Sequence, residues 1–222
     1  TVYYFSKIAS MMRVNVKTMH QGTIPVNTYA INLSVSGSGK GFSTNILEEN
    51  VIHLFKERFL SETFPALALH NIHKEAIRRA PRRNMSTDEM EEKLTKEFEM
   101  LGPLLFSFDS GTSPAIKQMR QKLLMAGIGS INLEIDEIGS NLVHNTDVLN
   151  SFLELYDVGK IKAKLIKNTA ENLRSEEIDG KTPTNMMLYG TPSKLMNGGK
   201  TEEEYLSMLD TGYARRCLFG YS

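Results

Sequence analysis

Thr28-Tyr29-Ala30-Ile31-Asn32-Leu33-Ser34-Val35-Ser36-Gly37-Ser38-Gly39-Lys40-Gly41 is the stretch that decides the fold. Its first half is a nearly continuous apolar run, the pattern of a strand buried on both faces. Its second half is a glycine- and serine-rich turn that closes on a lysine, and a helical pattern follows over 45–59. Strand, glycine-rich turn and helix in that order make a binding geometry for phosphate. Backbone N–H groups point at the anion, glycines permit close approach, and the lysine adds a mobile positive charge.

The turn therefore reads as a P-loop, with Lys40 reaching the phosphates of a nucleotide. The expected nucleotide contacts are Ser36, Gly37, Ser38, Gly39, Lys40, Gly41, Phe42 and Ser43. Two positions depart from the usual motif. Ser34 stands where its first glycine would be, and Gly41 follows the lysine where a Ser or Thr would hold magnesium. Ser43 or Thr44 would have to supply that hydroxyl, or water would carry the metal. The competing reading is an ordinary Gly-Ser turn before a helix.

Further along, Ile131-Asn132-Leu133-Glu134-Ile135 reads as a second buried strand, running into Asp136-Glu137. An apolar strand ending in two acids resembles a Walker B. Asp136 would help hold hydrated Mg²⁺ and Glu137 would polarise the attacking water. Other strands are expected at 104–108, 186–189 and 217–219, with helices between them, so the fold class is α/β with a largely parallel sheet. A helix is expected from Ser113 as cap and Pro114 to Gly127. Residues 60–102 interrupt the alternation as a charged helical insertion within a single domain spanning 1–222, and Ser86 to Glu89 carries a capping-box signature.

Thr191, at the end of the 186–189 strand, is placed either to sense the γ-phosphate or to cap the helix that begins at Pro192. Arg215 and Arg216 precede the last strand. Either would serve as an arginine finger reaching a neighbouring subunit, or both are surface residues. Lys160, Lys162 and Lys164 alternate strictly. They make either a phosphate-contacting row or the charged guard of an edge strand. Arg78 to Arg83 holds a second basic group, which also suits a helix C-terminus. His70 and His73 lack a third metal ligand, and Cys217 sits in an apolar run as a core residue.

The chain has 222 residues, 41% of them hydrophobic, enough to bury a core without staples. Lys plus Arg equals Asp plus Glu at 26 each, so overall charge offers no drive toward non-specific nucleic-acid binding. A single cysteine excludes an internal disulfide and points to a reducing compartment. No apolar run reaches membrane-spanning length. The start at Thr1 without a Met, and the apolar run up to Ser222, suggest a fragment of a longer protein.

The order of motifs resembles the P-loop module of phage and mobile-element primase–helicase proteins. The likeness is carried by Val26 to Tyr29, the loop at 36–41, Ser110 to Ala115, Asp136-Glu137, Leu155 to Asp157, Gly190 to Pro192 and Gly212 to Arg216. It covers nearly the whole chain except the insertion. The resemblance implies a RecA/AAA-like P-loop NTPase: an ATP- and magnesium-dependent DNA helicase or translocase acting on single-stranded or forked DNA. It also implies a ring homo-oligomer such as a hexamer, a fused or associated primase or polymerase domain, and a cytoplasmic setting in a phage-infected or element-bearing bacterium. By the same analogy Lys40 binds phosphate, Asp136 serves the metal, Glu137 activates water, Thr191 senses phosphate, and Arg215 or Arg216 is the finger. Two other readings stay open. One is a non-catalytic nucleotide-binding or oligomerisation module, favoured by Gly41. The other is a small-molecule kinase whose lid would be the Arg78–Arg83 region.

Overall fold

The structure, a computed structural model, describes residues 1–20, 22–141, 146–161 and 180–221. The chain opens with helix α1 (Val2–Met11) and an antiparallel pair, β1 (Asn15–Thr18) and β2 (Gly22–Pro25). β3 (Thr28–Leu33) is the expected strand, with Thr28 to Ile31 buried. At Lys40 the chain enters α2 (Lys40–Leu47) and stays helical through a wide π-turn (Glu48–Ile52), α3 (His53–Arg58), a second π-turn (Phe59–Thr63) and α4 (Phe64–Arg83). The junction residues Glu48, His53, Phe59 and Phe64 all keep right-handed helical backbone, so the run is unbroken until Asn84 turns left-handed at φ 51°. The helix following the loop therefore extends into the expected insertion.

α5 (Thr87–Met100) packs against α4, and its start is fixed by the expected box: Ser86 Oγ accepts from Glu89 N while Glu89 Oε2 accepts from Ser86 N. Ile72, Ala76, Ala80, Met90 and Leu94 form a small core of their own with Leu124 and Met125, which lie on α6 (Ser113–Ala126). α6 ends as expected at left-handed Gly127, but its cap is Thr112, whose hydroxyl accepts from Ala115 N, and not Ser113. The strand expected at 104–108 shrinks to one parallel bridge, Phe108 to Leu133. Pro103 has no N–H to give a ladder, and left-handed Gly102 bends the approach.

The remaining elements are β4 (Ile131–Ile135), α7 (Ile138–Asn141), α8 (Thr146–Val158), β5 (Thr184–Gly190), α9 (Pro192–Leu195), α10 (Lys200–Met208), a π-turn (Leu209–Tyr213) and β6 (Cys217–Tyr221). The four long-range strands form one parallel sheet in the order β4–β5–β3–β6, so the protein is α/β with helices flanking a parallel sheet. The core is mostly apolar, with a buried polar cluster of Ser10, Ser130, Asn132 and Asn185 where α1 meets the sheet. Tyr29 packs on Phe152, Tyr156 and Tyr213, and its hydroxyl donates to Phe152 O at 2.6 Å. Among the described residues no helix is long and apolar enough to cross a membrane.

Candidate functional site

Strand order decides which loops meet. β5 lies between β3 and β4, so its carboxyl end separates the glycine loop after β3 from the acidic pair after β4. In an open parallel sheet, ligands settle outside these carboxyl ends. A cleft of about 280 Å³ opens there. One wall is Val35, Ser36, Gly37, Ser38, Gly39 and Gly41; the other is Glu137, Thr191 and Lys194.

The loop wall is built for close approach. Gly37 and Gly39 take φ of 83° and 80°, which L side chains rarely adopt. Gly39 is the left-handed residue that starts α2, with no side-chain cap for the first-turn N–H groups. A Cβ placed on Gly37, Gly39 or Gly41 would meet nothing within 4 Å, so these glycines leave open space beside the backbone. Ser34, where the usual motif has glycine, is buried. Its N–H donates to Gly190 O at 3.0 Å, tying the loop to β5, while its buried hydroxyl has no partner among the described residues.

On the opposite wall Glu137 is held at both oxygens. Thr191 N donates to Oε1 at 3.3 Å, Thr191 Oγ1 donates to Oε2 at 3.1 Å, and Lys194 Nζ donates to Oε2 at 3.4 Å. This separates the two expectations for Thr191. It precedes α9 as N-cap, but its side chain makes no cap bond and turns to the carboxylate. Lys194 was not anticipated. It lies three residues past Thr191, on a helix too short to leave a periodic signal.

Other expected residues fall elsewhere. Lys40 is the first residue of α2, directly after the cleft-lining loop, and its side chain lies outside the described residues. Phe42 and Ser43 are exposed, and neither lines the cleft. The Thr44 hydroxyl donates to Tyr189 Oη at 3.2 Å. Asp136 is exposed at the end of β4 and does not line the cleft. Arg215 is exposed, whereas Arg216 donates from Nε to Asp157 Oδ1 at 3.0 Å, from Nη1 to Gly212 O at 2.9 Å, and pairs through Nη2 with Asp157 Oδ2. Neither arginine lines the cleft. Lys160 is exposed after α8 and outside any strand, while Lys162 and Lys164 lie outside the described residues.

Arg78 and Arg79 both bind Glu75 of their own helix, and His73 pairs with Glu91 at 2.6 Å. Burial pushes the half-buried Cys217 thiol up to about 12, so it packs against the edge of the core in protonated form.

No cluster of three or more metal-ligating side chains occurs among the described residues. A magnesium ion that arrived on a triphosphate would need only one or two carboxylates; Glu137 lines the cleft and would supply one, whereas Asp136 stands outside it. No family model, curated protein or solved structure matches the chain.

Proposed function

We propose that this chain is a P-loop nucleoside triphosphatase, the ATP-driven motor module of a helicase or translocase of the primase–helicase kind. The observation that carries the reading is the cleft itself: an uncapped glycine loop faces a carboxylate, Glu137, that a threonine just past the intervening strand holds in place. The loop amides and Lys40 would bind the phosphates, and Glu137 would orient water and accept its proton. Thr191 fixes the carboxylate from both its N–H and its hydroxyl. Magnesium, when bound with the nucleotide, neutralises charge on the phosphoryl oxygens, with Asp136 and Glu137 as the nearby acids. The test is phosphate release from ATP by the full chain, with and without single-stranded DNA. Turnover should fall at least ~100-fold in Glu137→Gln and in Lys40→Ala, as expected when a positioned catalytic group is removed. Turnover unchanged in Glu137→Gln would end the hydrolytic reading; turnover indifferent to DNA would end the motor.

A second reading, a nucleotide-binding module without turnover, is favoured by a specific observation. Gly41 supplies no hydroxyl after the lysine, Thr44 already donates to Tyr189, and Asp136 stands outside the cleft. Nucleotide binding without phosphate release would favour it.

A further inference from the structure

Lys194 and Glu137 line the same cleft that faces the glycine loop. The groups that hold Glu137 differ in mobility. Thr191 is 7% exposed and donates through a backbone N–H and a short hydroxyl, so its bonds are fixed by the fold. Lys194 has a side chain 64% exposed, and its ammonium sits 3.4 Å from Oε2 at the end of a four-carbon stem. An exposed lysine–carboxylate pair is held weakly, because solvent screens it and the long side chain must be ordered. A triphosphate seated on the loop offers that ammonium a second anion, with more charge and several acceptor oxygens. Of Thr191 and Lys194, Lys194 is the one that can change partner without moving backbone.

We propose that Lys194 is a terminal-phosphate contact that alternates between Glu137 and the last phosphoryl group of a bound nucleoside triphosphate. Its departure takes a positive charge away from Oε2, which keeps the Thr191 hydroxyl, so occupancy by a triphosphate and the charge beside Glu137 are coupled through one side chain. A diphosphate, lacking the last phosphoryl group, leaves Lys194 on Glu137. The inference rests on the cleft being a nucleotide site and names the residue that distinguishes the two nucleotides there.

The experiment is titration of the full chain with a fluorescent, non-hydrolysable ATP analogue and, separately, with ADP. Wild type is compared with Lys194→Ala, Lys194→Arg, Glu137→Gln and the Lys194→Ala/Glu137→Gln double variant. Lys194→Ala should weaken the analogue about tenfold, near 1.4 kcal/mol, and leave ADP affinity within about twofold, a gap that one charged contact to the last phosphoryl group accounts for. Lys194→Arg should recover most of the loss. Glu137→Gln removes the competing carboxylate, so it should tighten the analogue while Lys194 is present and not when it is absent. Equal effects of Lys194→Ala on both nucleotides, or no effect on either, would overturn the proposal, as would strictly additive single variants. Wild type that binds neither nucleotide would instead bring down the nucleotide reading itself. Because the Lys194 side chain is exposed, thermal midpoints should match across its variants, which separates binding loss from misfolding.

Discussion

A Cβ on Gly190 would sit 2.5 Å from Leu195 Cδ1, 2.7 Å from Ile138 Cγ2 and 3.2 Å from Leu33 Cδ2. Those three side chains belong to α9, α7 and β3, the elements that follow Thr191, follow Glu137 and enter the loop. The absence of a side chain at this one position lets three elements beside the cleft converge. Gly190→Ala should therefore destabilise by about 1–3 kcal/mol, the usual range for overpacking a filled site, and should loosen the Thr191–Glu137 pairing. Gly139 is the internal control. A Cβ there meets nothing nearer than Glu137 Oε1 and Lys194 Cβ at 3.6 Å, ordinary contact distance, and the residue sits inside α7. Gly139→Ala should be neutral or stabilising by a few tenths of a kcal/mol. Urea midpoints of the two variants read the contrast directly. Equal midpoints would mean that the convergence around Gly190 does not constrain the site.

At the scale of elements, α1 is keyed to the helix behind the loop and to β4 by polar groups. Lys7 is fully buried and its ammonium meets Glu134 Oε1 at 2.5 Å, while the Tyr3 hydroxyl donates to the same oxygen at 2.8 Å. Glu48, in the first π-turn, has its pKa raised chiefly by burial. Glu134 adds to the rise, and Lys7, Lys56 and the Tyr4 hydroxyl oppose it. The native state therefore holds the Glu48 proton more tightly than the unfolded chain does. Stability from this group is full below the ordinary carboxylate range and is lost as pH rises through the raised value. Glu48→Gln removes that loss. Its urea midpoint should exceed that of wild type at pH 7, and the difference should vanish toward pH 4. A difference that grows with acidity would reverse the sign and exclude the burial argument.

These buried polar anchors also explain what a reader of the sequence sees and misses. β3, β4 and β5 stand out because strands covered on both faces are rich in apolar residues, even with Asn32, Asn132, Glu134 and Asn185 among them. α1 does not, because Lys7 and Ser10 occupy its buried stripe, and the partners that make this tolerable, Glu134 for Lys7 and Asn185 and Ser130 for Ser10, lie far away in sequence. The pair β1 and β2 has no buried residue and lacks the alternation that marks a strand. Glu137 and Thr191 were legible as strand-end residues; that they bind each other follows from the strand order, which no local pattern states.

For the molecule as a whole, the ends of the chain bear on how copies would meet. Arg216 is built into its own fold: its side chain is 8% exposed, it binds the Asp157 carboxylate through two nitrogens, and it lies over the Tyr156 ring. Two separate blocks of the resemblance, Leu155 to Asp157 and Gly212 to Arg216, thus meet in one structural pair. Arg215 is exposed and makes no hydrogen bond or ion pair among the described residues, beside a strand whose Leu218 and Phe219 are 56% and 52% exposed. If the proposed ring brings a finger to the neighbouring cleft, Arg215 is the residue with a guanidinium to offer. Arg215→Ala should keep wild-type stability and nucleotide affinity but lose about 10³-fold or more in turnover, the scale of a missing arginine finger. Arg216→Ala should instead lower the urea midpoint, because Asp157 and Gly212 lose their donor. The decisive measurement mixes two inactive proteins. Arg215→Ala subunits retain Glu137, and Glu137→Gln subunits retain Arg215, so mixed assemblies contain some clefts with both groups. Activity that reappears on mixing places the finger in trans. Silence on mixing, with each variant still assembling, would show that Arg215 does not act across an interface.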